Sequence, residues 1–296
     1  MVAGKKQKTA EVFVHLFLIL LALFMIMPFI LLFLSSVTEE ITLIQNGYSF
    51  FPKKFSLEAY GYLVKSGSKI MKAYGMTFLI TFVGTALNIT LSSLLAYGLS
   101  LEGLPGKKFL SFYVFFTMLF NGGLVPTYLM YTGIFQIKNT FWGLIIPQFM
   151  LSAMNVIMIR TFFQNSIPTA LYEACKIDGG GHLTIFRHVV LPLGKPILVS
   201  MGLFAGLTYW NDWTNALYYV NDRELWGIQS LLNEMISNIQ YLSQNTNVSS
   251  NVDMSKLPMT SVRMAIAFVG VLPVLAIFPF LQKYFAKGIA VGAVKG

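Results

Sequence analysis

The segment 161–195 carries the most distinctive spacing of chemically capable residues in the chain. Most of it lies in the run NSIPTALYEACKIDGGGHLTIFRHVVLPLGKP. Ser166 can cap a first helix, because a serine oxygen accepts a hydrogen bond from an N–H of the first turn, and Pro168 suits that turn because it lacks an N–H. The glycines at 179–181 end this helix, since glycine accepts a positive φ.

A second short helix is predicted directly after these glycines. It covers about His182 to Val190, Asp178 can cap it, and Pro192 breaks it. The segment is therefore a helix-turn-helix whose two helices both have apolar faces. Two interpretations remain open at this point: the hairpin packs on the protein's own helices, or it is a docking surface for a partner.

Sequence motifs for catalysis, metal binding and nucleotide binding are absent. No stretch satisfies G-x-x-x-x-G-K-[ST], so the chain should not hydrolyse ATP itself, and no catalytic residue is assigned. His15, His182 and His188 form no ligand cluster, and Cys175 is the only cysteine, which excludes a disulfide within the chain. We therefore expect neither a metal site nor a cofactor in this chain.

The composition indicates what must position these residues. Of the 296 residues, 55% are hydrophobic and only 11% are charged, against about 25% charged in soluble domains. The net charge is +9, but the basic residues are spread thinly, which argues against nucleic acid as a partner. These values predict an integral protein of the cell membrane.

Six apolar stretches are long enough to cross a bilayer as helices, which needs about 20 residues each. They cover approximately 12–38, 73–101, 109–132, 139–160, 196–220 and 262–283. We therefore predict an all-α integral membrane protein with six transmembrane helices, in a single permease domain that covers residues 1–296.

The flanking charges predict the orientation of these helices. More lysines and arginines flank the side that holds both termini, so both termini are expected in the cytoplasm, with the segment 161–195 between the fourth and fifth helices on the same side. Lys5, Lys6 and Lys8 would also suit a signal peptide, but the apolar run that follows is longer than a signal peptide needs. The polar segment near 221–260 is then external.

Two polar groups within the apolar stretches are candidates for a substrate path. Asn121 lies beside Gly122 and Gly123, a weak point for a helix. The fifth stretch contains Trp210, Asn211, Asp212, Trp213 and Asn215. Aromatic rings with amides suit sugars, and an ionisable residue in a membrane segment usually faces a cavity or a partner. The alternative is a belt of aromatic residues at the membrane interface.

The spacing in the 161–195 segment resembles the coupling loop of ABC importer permeases. That pattern is Glu-Ala-Ala, three residues, Gly, nine residues, an aliphatic residue, one residue and Leu-Pro. The chain matches it with Glu173-Ala174-Cys175, Gly179, Val189 and Leu191-Pro192. Cys175 and Val189 are small departures from the usual residues.

Further residues are similar to those of maltose-type carbohydrate permeases, namely Pro28-Phe29, Trp210-Asn211-Asp212 and the ending Lys287 to Gly296. The run Asn121-Gly122-Gly123-Leu124-Val125-Pro126 resembles the oligosaccharide and polysaccharide permeases of Gram-positive bacteria.

The resemblance implies the following roles and partners. Glu173, Ala174, Cys175, Asp178, Gly179, Leu191 and Pro192 would couple the chain to an ATPase, with Glu173 facing a basic group. The C-terminal tail would also reach the ATPase. The implied partners are a second permease in a heterodimer, two ATPase subunits that bind ATP and Mg, an extracytoplasmic solute-binding protein and a carbohydrate substrate.

Other functions remain open as alternatives. An ion-coupled secondary carrier would need intramembrane charges, for which Asp212 is the only candidate within a predicted span. An ABC permease for a different polar solute would share every feature of the coupling loop. A membrane-embedded enzyme would need the catalytic constellation that the sequence lacks.

Overall fold

The computed structural model describes residues 5–147, 149–244 and 259–293, and this part of the chain is almost entirely helical. The α-helices are α1 (Lys5–Ser36), α2 (Glu40–Asn46), α3 (Glu58–Lys65), α4 (Gly67–Ser100), α5 (Lys107–Leu119), α6 (Leu124–Leu129), α7 (Trp142–Ile145), α8 (Ala153–Ser166), α9 (Thr169–Ile177), α10 (His182–Ile185), α11 (Leu191–Asn211), α12 (Thr214–Tyr219), α13 (Ile228–Gln244) and α14 (Met259–Ala293). Two π-helical turns cover Met130–Ile134 and Phe186–Val190. The helical fold class is thus confirmed.

The chain forms two compact units. The first comprises Met1–Ser68 and Glu234–Pro273, and the second comprises Lys69–Asn233 and Val274–Gly296. The second unit contains both the hairpin that follows α8 and the candidate path residues. The segment 245–258, in the external region, and the terminal residues 294–296 lie outside the described residues.

Among the described residues, four helices are long and apolar enough to cross a membrane. They are Glu11–Ser36, Gly67–Ser100, His182–Asn211 and Thr260–Ile277. A fifth candidate is a bent pair, Lys107–Leu119 with Leu124–Ile134, whose two halves make an angle of 116°. The number of six crossings and the side on which the termini lie therefore stay predictions.

The bend in the third apolar stretch falls at the predicted weak point. The backbone leaves the helix after Leu119, and Gly123 has a φ of +86°. The Gly123 N–H donates to Oδ1 of Asn121 at 2.9 Å, so the asparagine side chain stabilises the turn. The predicted span over 109–132 is thus a bent pair of helices, and its crossing of the membrane as one span stays a prediction.

The fourth apolar stretch, predicted as a helix over 139–160, also differs. Only α7 and the beginning of α8 are helical there. Between them lies an irregular segment, 146–152, which the structure describes at residues 146, 147 and 149–152. Pro147 cannot donate a helical hydrogen bond, and Ser152 caps α8 by accepting from the N–H of Asn155 at 3.4 Å. Hydropathy alone does not reveal such a break.

The fifth stretch begins and ends at residues other than those predicted. The helix is continuous from His182 to Asn211, so Pro192 does not break it. At the other end the helix stops at Asn211, although the stretch was predicted to continue to residue 220. The N–H groups of Thr214 and Asn215 donate to Oδ1 of Asp212 at 3.0 and 3.3 Å. A carboxylate that binds the following N–H groups begins a new helix, here α12.

In the first unit, a buried acid holds the beginning of α14. The Glu40 carboxylate, from α2, accepts hydrogen bonds from the N–H groups of Thr260 and Ser261 at 2.7 and 2.8 Å. The first N–H groups of a helix generally lack a carbonyl partner in the preceding turn, and a negative charge is favourable at a helix N-terminus.

In the second unit, α4 and α11 pack through small residues. A Cβ on Gly84 would lie 2.5 Å from the ring of Tyr209, so only glycine permits this approach. Gly202 and Gly206 face Ile89 and Thr85 of α4. Close approach through small residues is the packing that membrane helices use.

Candidate coupling surface and transport path

The end of α9 has the geometry that the glycines predicted. Gly179 has a φ of +80°. Its N–H donates to the Lys176 carbonyl at 3.0 Å, and the Gly180 N–H donates to the Cys175 carbonyl at 2.8 Å. This pair of bonds is the Schellman motif, which satisfies the last carbonyls of a helix.

Two details of the predicted capping were wrong. Ser166 is the last residue of α8, and Pro168 occupies the position before α9 in an extended conformation. The reason is steric, because a residue before proline avoids the helical region and Ile167 is accordingly extended. Asp178 ends α9, and Gly181 stands at the N-cap of α10.

The turn is tight enough to require a second glycine. A Cβ on Gly180 would lie 2.6 Å from Sγ of Cys175 and 2.7 Å from its carbonyl oxygen. Cys175 is half-buried against the hydrophobic core. The dihedral angles at position 179 therefore favour glycine, and position 180 needs glycine for space.

One face of the hairpin, which consists of α9, the glycine turn and α10, packs on the rest of the second unit. Tyr172 stacks on Tyr97 of α4, with ring centroids 6.5 Å apart, and Phe186 lies 5.3 Å from the same ring. Burial raises the pKa of the Tyr172 hydroxyl above its ordinary value, so this group stays neutral in the physiological range. These aromatic contacts position the hairpin on the end of α4.

The opposite face of the hairpin is exposed and apolar. Ile177 is 86% exposed, Leu183 75% and Leu171 41%. Glu173 is exposed on the same hairpin. Exposed apolar residues gathered on one element are typical of a protein–protein contact. The two interpretations of the hairpin therefore apply to different faces, one packed on its own subunit and one available to a partner.

The second helix of the hairpin is continuous with α11. The chain passes from α10 through the π turn Phe186–Val190 into α11 without a loop. Leu191 is half-buried and Pro192 is exposed at the beginning of α11. The second helix of the hairpin, the π turn and α11 therefore form one continuous helix of 30 residues, His182–Asn211.

A cavity of about 300 Å³ lies at the base of the hairpin. Its lining includes charged and titratable side chains from three elements and the loop after α4, namely Glu102, Lys107, Glu173, Lys176 and His182. The Lys107 ammonium donates to the Leu101 carbonyl at 2.8 Å and so holds that loop. Glu173 thus lies at the edge of a polar recess as well as on an exposed helix.

Three of the six candidate path residues lie together. Asn211, Asp212 and Trp213 line an open cavity of about 440 Å³. The Asp212 carboxylate accepts hydrogen bonds from the backbone and the hydroxyl of Thr214, at 3.0 and 2.7 Å. Asp212 therefore has a structural role in ending α11.

The other three candidate residues lie elsewhere. Trp210 is buried against Phe78, with ring centroids 5.1 Å apart. Asn215 is fully buried, and its amide donates to the Pro147 carbonyl at 3.1 Å. Asn121 stabilises the bend between α5 and α6. A role of these three residues in the path stays a prediction.

Sequence reasoning missed the residues that support the irregular segment 146–152. The Asn88 amide donates to the Phe149 carbonyl at 2.7 Å, and the Asn155 amide donates to Oδ1 of Asn88 at 2.8 Å. The Tyr209 hydroxyl donates to the Ile145 carbonyl at 3.0 Å. The signal available in the sequence was the presence of two asparagines, Asn88 and Asn155, in apolar stretches.

Comparison with known proteins identifies the family. Residues 88–291 match the family of the binding-protein-dependent transport system inner membrane component. The chain belongs to this family. It is therefore a permease subunit of an ABC transporter and a multi-pass protein of the cell membrane.

Relatives of this permease are named for the transport of carbohydrates. The chain is 38% identical to the polygalacturonan/rhamnogalacturonan transport system permease protein YtcP of Bacillus subtilis (strain 168), over 98% of this chain and 100% of the relative. It is 27% identical to the arabinooligosaccharides transport system permease protein AraQ of the same organism, over 95% of this chain and 94% of AraQ.

A solved structure is similar over nearly the whole chain. It is a bacterial ABC transporter involved in the import of the acidic polysaccharide alginate, with a TM-score of 0.79 and 26% identity. The match covers 96% of this permease and 99% of the other chain. The resemblance stated from the coupling-loop motif is thereby confirmed at the level of the family.

Proposed function

We propose that this permease forms half of the translocation path for an oligosaccharide or polysaccharide fragment and receives the motion of partner ATPases through its hairpin. A second permease completes the path in a heterodimer, and two ATPase subunits bind the ATP and Mg. An extracytoplasmic solute-binding protein delivers the sugar. In this arrangement the chain crosses the membrane six times and has both termini in the cytoplasm.

One observation carries the coupling role. Ile177 and Leu183 are exposed on the surface of the hairpin, and its second helix continues into α11. Closure of the ATPases would push the exposed face, and the joined helix would carry the displacement to the cavity beside Asn211 and Asp212. No bond is made or broken in the permease, which transmits motion and forms the gate.

The names of the relatives support a carbohydrate substrate. Two proteins that match this chain over almost its full length have names that mention polygalacturonan and rhamnogalacturonan transport and alginate import. We therefore infer that the substrate is a fragment of a plant or microbial polysaccharide, and oligogalacturonides are the first ligands to test. An ion-coupled carrier is disfavoured, because the Asp212 carboxylate is engaged in capping α12.

The test is ATP-driven uptake of oligogalacturonides by proteoliposomes that hold the whole complex. Glu173→Ala should impair uptake, because removing one member of a buried interfacial charge pair costs about 2–5 kcal/mol. Glu58, an exposed acid in the first turn of α3, is the matched control, and Glu58→Ala should transport like the wild type. Normal uptake by Glu173→Ala, with equal amounts of complex, would remove the coupling role.

A further inference from the structure

The irregular segment 146–152 is unusual for a membrane protein. It interrupts an apolar stretch between α7 and α8, and none of its described residues is helical. Side chains of three helices bind carbonyls at this break, since Asn88, Tyr209 and Asn215 donate to the carbonyls of Phe149, Ile145 and Pro147. Non-helical backbone at membrane depth is tolerated where protein satisfies it or where it lines a water-filled cavity.

Two cavities open beside this segment, and both are lined by Phe149, Phe204 and Thr208. One has a volume of about 440 Å³ and extends to Asn211 and Asp212. The other has a volume of about 470 Å³ and extends to Asn88, Asn155 and Ser152. Each volume lies in the range of about 300–1,000 Å³ that is typical of ligand sites. Because the same three residues line both cavities, the two cavities form one groove.

The lining of this groove is chemically mixed. Phe204 is half-exposed in it, and Phe149 is held edge-on against Tyr209 at 5.6 Å. Hydroxyl and amide groups alternate with these rings at Thr208, Asn211 and Ser152. A surface meant for lipid would be uniformly apolar, whereas polar groups inside a membrane segment mark a polar ligand or a partner.

We propose that this groove binds the sugar during translocation, with Phe149 and Phe204 against the C–H faces of the rings and the hydroxyl and amide groups bonding sugar hydroxyls. This proposal rests on the proposed function and identifies the residues of this chain that contact the sugar in the path. Aromatic rings supply apolar contact area and a defined geometry. The Thr208 hydroxyl and the Asn211 amide donate to the Phe204 and Leu207 carbonyls of their own helix at 2.9 Å, so their oxygen atoms remain as acceptors for sugar hydroxyls.

The charge of the groove limits what it recognises. No lysine or arginine lines it among the described residues, and Asp212 is its one carboxylate there. A carboxylate of a uronic acid would meet no positive charge here. The groove therefore recognises the neutral parts of the sugar, and any acid group must be matched by another subunit.

The decisive variant is Phe204→Ala, measured in proteoliposomes of the whole complex with its binding protein and oligogalacturonides. We expect uptake at limiting substrate to fall about threefold to tenfold, the loss expected when one ring contact is removed. Phe204→Trp keeps a ring and should retain uptake. The matched control is Phe82→Ala, because Phe82 is 76% exposed on α4 and lines neither cavity.

Three outcomes would overturn the proposal, and they are distinguishable. If the wild-type complex takes up no oligogalacturonide with ATP, the proposed substrate class fails and the groove fails with it. If the wild type transports and Phe204→Ala transports equally well, the groove alone is wrong. If Phe204→Ala releases the second permease during purification while Phe82→Ala does not, the groove is a subunit interface.

Discussion

At its first residues α11 runs on from the hairpin without a break, whereas at its last residues the same helix stops within one turn. The beginning contains Pro192, a residue that normally interrupts a helix, and the end contains Asp212, which does not. The outcome is the reverse of what the two residue types suggest.

Hydrogen bonding explains the difference. In the π turn before α11, the Leu191 N–H reaches back five residues to the Phe186 carbonyl. The missing donor of Pro192 falls beside this turn, where the usual pattern is already displaced. At the other end the Asp212 carboxylate binds the N–H groups of Thr214 and Asn215. The beginning of α11 therefore continues the hairpin helix, and its end gives way to α12 beside a cavity that Asn211 and Asp212 line.

The largest effect is expected where α11 packs closely on α4, because Gly84 leaves no space for a Cβ beside the Tyr209 ring. Gly84→Ala would place a Cβ 2.5 Å from the Tyr209 ring and should lower stability by about 1–3 kcal/mol. The measurement is the thermal unfolding temperature of the purified complex. Gly98→Ala on the same helix is the control, since nothing lies within 4 Å of a Cβ there. Equal unfolding temperatures would show that the helices do not rely on this close approach.

The next effect concerns the beginning of α11 and the hairpin that precedes it. Gly179→Val places a β-branched residue at a φ of +80° and should abolish most uptake at normal membrane abundance. Gly179→Asn tolerates this conformation and should retain most of the uptake. If the valine and asparagine variants transport alike, the turn geometry does not matter for coupling.

At the end of α11, Asp212→Ala removes the carboxylate that accepts from the first N–H groups of α12. Loss of side-chain acceptors at a helix start costs about 0.5–2 kcal/mol, so the unfolding temperature should fall modestly. Asp212→Asn keeps an acceptor for the same N–H groups and should remain close to the wild type in stability and in uptake. Loss of uptake in Asp212→Asn, with stability unchanged, would instead show that the negative charge itself acts in transport.

The smallest effect is expected for Tyr97→Phe. The Tyr97 hydroxyl lies 3.4 Å from Nδ1 of His182, a long hydrogen bond, while the ring stacking on Tyr172 would remain. Uptake should therefore change less than twofold, an effect of under about 0.4 kcal/mol. A large loss would mean that the hairpin is held by this polar contact and not by stacking.

The sequence was informative wherever one local rule decided the structure. A positive φ at Gly179 followed from the need to end α9, and the bend beside Asn121 followed from two glycines next to an amide. The family followed from a long spaced motif, Glu173 to Pro192, and the comparison with known proteins confirmed it. In each case the information lies within about 20 residues of the chain.

Only the tertiary structure decided where the apolar stretches break and which polar residues meet. Hydropathy does not distinguish a continuous helix from α7, an irregular segment and α8, because the partners of the freed carbonyls come from Asn88, Tyr209 and Asn215, which are distant in sequence. The sequence alone determined a helical membrane permease, and it predicted that the hairpin couples to an ATPase. The groove beside Phe149 and Phe204 arises only when separate elements pack, since α4, α5, α8, α11 and the break that contains Phe149 all contribute to its lining.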